Sequence, residues 1–403
     1  MFRSLSFCAI MLFAFNLFAE KQYIVAYKQG VFSARSEVNS LHSVSTLKKL
    51  SSTTDVIKAD EIDIEVIKQM PMVDYVEEDK VVKLGPELEV TESKETWGLD
   101  RIDDREGLDD SYEPIGDGEG VHVYVIDTGI NTKHEEFEGR IGEGFSSIKK
   151  GGIEDCNAHG THVSSTVGGT KYGVAKKAII HPVRVLDCRG SGYTSGVVEG
   201  VNWVAKNHIK PAVANMSLGG MVSKTLDIAV ENAIDKGVTF VVAAGNENSD
   251  ACKGSPSRVK DAITVGASDI NDERAYFSNW GDCVDIFAPG VNIMGAWKGK
   301  ADAYKEISGT SMGSPAVAGA AALRLSKAPD STVSEIDAWI KEKATKGIIG
   351  DAKTELNDLI YVGPEEGEPR PEPKPEPKEP DSFKKKLCSW LSPFWKRVFR
   401  CHK

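Results

Sequence analysis

The sequence is short of positive charge: 49 Lys and Arg stand against 60 Asp and Glu, a formal net charge of −11. That balance argues against a nucleic-acid partner and for a soluble chain whose copies repel one another. No Cys-x-x-Cys pair occurs, which leaves zinc-ribbon and thioredoxin-type chemistry without support. Past the first twenty residues, no apolar run approaches the roughly 20 residues that a helix needs to cross a bilayer. No internal repeat is present. What the chain does have is glycine, 38 of them in 403 residues, which suits an α/β fold with tight turns and a backbone-lined cleft. With 40% hydrophobic residues it is long enough for two or three domains.

The start of the chain reads as a removable leader. Met1-Phe2-Arg3 is a short basic opening, residues 5–18 are almost wholly apolar, and Leu17-Phe18-Ala19 ends on a small residue. This is a secretory signal pattern over residues 1–19, cut near Ala19; as a membrane anchor the run is too short. Its loss takes Cys8 with it and leaves an even set, Cys156, Cys188, Cys252, Cys283, Cys388 and Cys401. An even set in an exported chain reads as disulfides. The expected location is extracellular, periplasmic or on the cell surface.

Residues 20–92 form a first unit, small, charged and free of cysteine. The alternation in Tyr23-Ile24-Val25-Ala26-Tyr27 predicts a strand, 41–50 a short amphipathic helix, and 73–82 further strand ending at Gly85-Pro86. Residues 96–362 form the main unit. Strand-like runs at 121–126, 179–186, 213–217 and 238–244 alternate with helical patterns at 194–207 and 226–235. Such alternation predicts a mainly parallel sheet with helices on both faces. Residues 363–381 are mostly Pro, Glu and Lys and predict an extended spacer.

Three short sequences at junctions between elements carry chemistry. Asp127-Thr128-Gly129 ends a strand, where open α/β sheets place their functional crevice, although an Asp there also serves as a helix cap. In His159-Gly160-Thr161-His162, the glycine lets His159 approach a partner, and His162 falls one helical turn inward. The two histidines have no Glu between them and no third ligand, so they make a poor metal site. Gly309-Thr310-Ser311-Met312-Gly313-Ser314-Pro315 opens an Ala/Gly-rich helix, with Pro315 expected in its first turn. Ser311 then sits at a helix N-terminus, where free N–H groups favour developing negative charge; alone, it reads equally well as a cap. A serine hydroxyl needs a base to take its proton and an acid to orient that base. Asp127, His159 and Ser311 supply these in that chain order. Asn246, ending Ala243-Ala244-Gly245-Asn246, adds a side-chain amide that with the Ser311 N–H makes an oxyanion hole.

These blocks resemble the three signatures of the subtilase family, in particular its proteinase K branch and the aqualysin-type bacterial enzymes. Trp97-Gly98-Leu99-Asp100-Arg101-Ile102 resembles their mature start, and Ala214-Asn215-Met216-Ser217-Leu218-Gly219-Gly220 their substrate-binding strand. The likeness runs over about 96–362. It implies a three-layer α/β fold and a serine endopeptidase, expected as a monomer acting on protein and peptide substrates. It implies that Gly190, Ser191, Gly192 and Tyr193 on one side, and Ser217, Leu218 and Gly219 on the other, grip an extended peptide by main-chain bonds. The P1 pocket, between 217–219 and 243–246, is then expected to prefer apolar residues. The resemblance also implies the disulfides Cys156 with Cys188 and Cys252 with Cys283, and a calcium ion at Asp285 with carbonyls near 260–262. It makes 20–92 an α+β propeptide, folding template and intramolecular inhibitor, cut within 87–96.

Two departures stand out: Met312-Gly313-Ser314-Pro315-Ala316 follows the nucleophile where the family has Met-Ala-Thr-Pro-His, and Val163-Ser164-Ser165 replaces Val-Ala-Gly. A binding-only homologue and an esterase are the competing readings, the esterase disfavoured by the triad order. The last segment, 382–403, carries Leu387, Trp390, Leu391, Phe394, Trp395 and Val398 on one helical face and basic residues mostly elsewhere. It reads as an interfacial helix for an anionic membrane surface, or as a tail docked on a partner. In one helix Cys388 and Cys401 would stand about 20 Å apart. A disulfide therefore requires a fold-back near Pro393.

Overall fold

The computed structural model describes residues 20–30, 33–85 and 96–364. The expected leader, the spacer beyond Pro364, the tail and residues 86–95 lie outside the described residues. Among the described residues, no helix is long and apolar enough to cross a membrane.

The chain first builds a four-stranded sheet in the order β2-β3-β1-β4, from β1 (Lys21–Tyr27), β2 (Ser45–Lys49), β3 (Thr54–Ala59) and β4 (Val73–Glu78). All its pairings are antiparallel. Two helices, α1 (Ala34–Val38) and α2 (Glu61–Gln69), share its core, where Val25, Val38, Ile57, Ile64 and Ile67 meet. The expected helix over 41–50 is absent. Ser45–Lys49 is a strand instead, because pairing with β3 satisfies its backbone and overrides a weak local helical pattern. The helix α2, absent from the sequence expectations, has a clear start signal: the Asp60 side chain accepts from Asp63 N at 2.8 Å, with Glu61 and Asp63 in the first turn. A short strand, β5 (Val81–Lys83), leaves this sheet and pairs elsewhere.

After α3 (Trp97–Ile102), the second sheet has seven strands. They are β6 (His122–Asp127), β7 (Phe145–Ser146), β8 (Ile179–Arg184), β10 (Ala212–Met216), β11 (Val238–Ala243), β12 (Ile263–Ser268) and β13 (Ile286–Pro289); the short edge strand β9 (Ser191–Tyr193) lies outside it. The order is β13-β12-β11-β10-β6-β8-β7, and every pairing is parallel. Residues along one strand alternate between two cores. Val123, Val125, Val213 and Val241 pack with α4 (His159–Gly168) and α7 (Thr310–Lys327). Tyr124, Ile126, Ala214, Phe240 and Val242 pack with α5 (Thr194–Asn207) and α6 (Lys224–Ile234). Strands covered on both faces must be apolar throughout, hence unbroken runs such as Val-Thr-Phe-Val-Val-Ala in β11. This is the expected three-layer α/β arrangement, with a last helix, α8 (Val333–Lys343), whose Ile336 and Ile340 join the first core. β6 and β10 lie at its centre, so their C-terminal ends open onto the middle of the crevice.

Candidate active site

Asp127 is the last residue of β6 and is fully buried; its Oδ1 accepts from Thr128 N at 2.7 Å. His159 is the first residue of α4. Two glycines let that helix reach the strand end. Gly129 has φ +110°, and a Cβ there would lie 2.4 Å from Ile153 O; a Cβ on Gly160 would lie 2.4 Å from Gly129 O. The helix is pinned further by Gly160 N donating to Thr128 Oγ1 at 2.8 Å. In consequence His159 Nδ1 lies 2.9 Å from both Asp127 oxygens, donating to the carboxylate and leaving Nε2 as the ring's basic nitrogen. His162, as expected, turns inward. It is fully buried with Nε2 2.9 Å from Ile293 O, and burial pulls its pKa down to about 3.

Ser311 is the second residue of α7 and is partly exposed, its hydroxyl donating to Ser217 O at 3.2 Å. Its N–H is among the first four of the helix, which have no partner inside it. The helix begins at Thr310, so Pro315 lies in the second turn and not in the first. Proline has no N–H for the carbonyl four residues back, Ser311 O, and the Ser217 hydroxyl takes its place at 2.9 Å. Ser314, where the sequence departs from the family pattern, meets the same Ser217 hydroxyl at 2.9 Å. Gly309 to Gly313 also spells the G-x-S-x-G of an esterase elbow. Here, however, the preceding strand, Tyr304–Ile307, pairs antiparallel with Ile293–Ala296 outside the parallel sheet.

Asn246 follows β11. Its Oδ1 accepts from Thr310 N and Thr310 Oγ1, both at 2.9 Å, which fixes which end of the amide is oxygen and turns Nδ2 toward the crevice. A cavity of about 370 Å³ adjoins Ser311 and Asn246, lined by 217–219 and 243–246 as expected, and also by the charged residues Glu247, Asp250 and Lys253. Gly190, Ser191, Gly192 and Tyr193 do not line that cavity; Ser191–Tyr193 form β9, which pairs with β5, and Lys83 at the end of β5 does line it. Cys156 is bonded to Cys188, and Cys252 to Cys283, with Cα atoms 4.8 and 5.3 Å apart. The first bridge ties the loop before His159 to the loop before β9.

A model of the subtilase family (peptidase family S8) matches residues 118–360. The chain belongs to the subtilase family. Its relatives include an extracellular serine proteinase of Thermus sp. (strain Rt41A), 52% identical over 73% of this chain and 72% of that one. Another is alkaline serine exoprotease A of Vibrio alginolyticus, 48% identical over 73% of this chain and 56% of the relative's length. The crystal structure of a cold adapted subtilisin-like serine proteinase superposes with a TM-score of 0.65 at 50% identity, covering 68% of this chain and all of the other. This subtilase is therefore a serine proteinase with a subtilisin-like fold.

Two features differ from the sequence reading. Asp285 does not stand open for a cation: its Oδ1 pairs with Lys341 Nζ and its Oδ2 accepts from Thr264 N, both at 2.8 Å. The lysine on α8 supplies the positive charge that calcium would bring. Instead, Asp100, Asp104 and Asp109 place one carboxylate oxygen each within 4.8 Å of one another. The second feature is the role of the strand at 73–79. Glu77 Oε1 accepts from Ser223 Oγ at 2.7 Å and Oε2 from Lys224 N at 3.1 Å, at the start of α6. Asp79, buried, accepts from Ser195 N at 2.9 Å and Ser195 Oγ at 2.7 Å, at the start of α5. Burial pushes the Asp79 carboxyl up against the pull of those bonds. Two carboxylates from the N-terminal sheet thus cap two helices of the main unit, a function that the alternating charges had hidden.

Proposed function

We propose that this subtilase is an exported endopeptidase that cleaves proteins through an acyl-enzyme, with Asp127, His159 and Ser311 as its triad. The observation that carries this reading is the close pairing of His159 Nδ1 with the buried Asp127 at the C-terminal end of a central strand of the parallel sheet. His159 Nε2 takes the Ser311 proton as Oγ attacks the substrate carbonyl, and returns it to the leaving amine. Asn246 Nδ2 and the Ser311 N–H receive the oxyanion. The substrate runs extended between β9 and 217–219, its P1 side chain entering the cavity, where Leu218, Ala243 and Ala244 favour apolar groups. The mature enzyme acts as a monomer. The test is hydrolysis of casein beside a p-nitrophenyl ester: the reading expects both activities in the wild type and neither in His159→Ala, whereas ester hydrolysis alone would favour an esterase.

In this reading 20–92 is the inhibitory propeptide. It lies against the main unit through the two caps, the Lys48–Glu199 pair at 2.8 Å, and a hydrogen bond between Asn202 Nδ2 and Leu50 O at 3.3 Å. A capping side chain contributes about 1–2 kcal/mol. Glu77→Ala with Asp79→Ala is therefore expected to weaken inhibition of the mature enzyme by the added propeptide on the order of 10²-fold. An inhibition constant measured for both forms checks this, and an unchanged constant would remove the caps from the account.

The calcium implied by the resemblance fits the carboxylate oxygens of Asp100, Asp104 and Asp109, a hard-donor set suited to that ion. Such an ion would tie α3 to the loop that follows it and would take no part in the chemistry. At a hundredfold excess over its dissociation constant it stabilises by about 2.7 kcal/mol. Chelation is then expected to lower Tm by about 5–10 °C. The same chelator should shift Asp104→Asn far less; equal shifts in both proteins would place the ion elsewhere.

A further inference from the structure

The N-terminal unit does more than dock beside the crevice. β5 pairs antiparallel with β9, Val81 opposite Tyr193, Val82 opposite Gly192 and Lys83 opposite Ser191, and Leu84 N donates to Gly190 O at 2.9 Å. The chain thereby enters the crevice as a substrate strand would. A Cβ on Gly85 would lie 3.3 Å from Asn246 Nδ2, and Gly85 lines the same cavity as Ser311. Gly85 thus stands beside Asn246 Nδ2, one of the two oxyanion donors of the proposed mechanism. It has no side chain to place in the adjoining cavity, so the strand is held by its main chain, by Val82 and Leu84 packed on the main unit's core, and by the two caps.

The bond that follows Gly85 joins it to Pro86. Its hydrolysis requires Ser311 Oγ to attack the Gly85 carbonyl carbon, the C–N bond to break, and His159 Nε2 to deliver its proton to the Pro86 nitrogen. That nitrogen carries a ring carbon in place of hydrogen, which crowds the approach of the acid, and the ring fixes the backbone angle of the departing residue. A proline also restricts the residue before it. We propose that the Gly85-Pro86 bond, held in register but refractory, keeps the precursor latent, so that its first cut is made elsewhere in the chain by a second molecule. This inference rests on the proteolytic reading of the crevice, and concerns how that activity is released.

The test follows the first cut of the full-length chain by intact mass spectrometry over a hundredfold range of precursor concentration, for wild type and Pro86→Ala. The wild type is expected to show a rate per molecule that rises in proportion to concentration, and no new terminus at Pro86. Pro86→Ala is expected to cut after Gly85 at least tenfold faster, at a rate independent of concentration. A wild-type terminus at Pro86, a concentration-independent first cut in the wild type, or a Pro86→Ala chain that behaves as the wild type would each overturn the proposal. A Ser311→Ala precursor with a trace of mature wild type is expected to be cut at the wild-type positions. Failure of the wild type to cut either itself or casein would instead sink the proteolytic reading, and the inference with it.

Discussion

Ser311→Ala is expected to lower kcat on a chromogenic peptide by roughly 10⁶-fold; the figure is borrowed from triad replacements in subtilisin, a relative. The loss is that large because the hydroxyl is the atom that forms the acyl bond, and nothing else in the crevice replaces it. His159→Ala should cost about as much, and the two together little more, because base and nucleophile act as one unit. Asp127→Asn should cost less, on the order of 10⁴-fold, since the amide can still hold the ring but favours the wrong tautomer. KM should change little in each. Among the described residues the Ser311 hydroxyl bonds Ser217 O alone, and it stands partly exposed, so its loss should leave Tm within about 2 °C of the wild type. Steady-state kinetics with a melting curve separates this from simple unfolding. A residual rate within a hundredfold of the wild type would mean that another residue is the nucleophile.

Asn246→Asp is the second large effect expected, a fall in kcat of about 10²–10³-fold with little change in KM, about 2.7–4 kcal/mol of transition-state stabilisation. The choice of Asp matters. Asn246 Oδ1 accepts two bonds from Thr310 at the start of α7, and an alanine would remove those along with the donor. Aspartate keeps the acceptor and replaces only Nδ2. If Nδ2 serves the oxyanion, kcat falls while the fold holds. If Asn246 merely anchors the helix, Asn246→Asp should be nearly as active as wild type and Asn246→Ala should be the damaged variant, with a lowered Tm.

The sequence made the parallel sheet and the crevice legible for a physical reason. Strands buried on both faces are written as unbroken apolar runs, and Asp127, His159 and Asn246 each stand where such a run or its helix starts or stops. The N-terminal sheet was harder. β2 lies on an exposed edge, with Ser45, Thr46, Leu47 and Lys49 all exposed, so no alternation marks it and only pairing with β3 makes it a strand. The caps made by Glu77 and Asp79 were invisible because their partners, Ser223 and Ser195, stand more than a hundred residues away. Asp285 misled for a similar reason: a carboxylate at a strand end looks the same in sequence whether calcium or Lys341 answers it. Pro315 lies one turn further in than its sequence pattern predicts because the N-terminus of α7 is set by contacts with Asn246 and not by the proline.

The measurement that goes most directly to the central claim is covalent labelling of the mature enzyme with a serine-directed fluorophosphonate, followed by peptide mapping. The account predicts one label per molecule, on Ser311, with proteolysis lost in step with labelling. A label on another residue, or proteolysis that survives complete labelling, would contradict it.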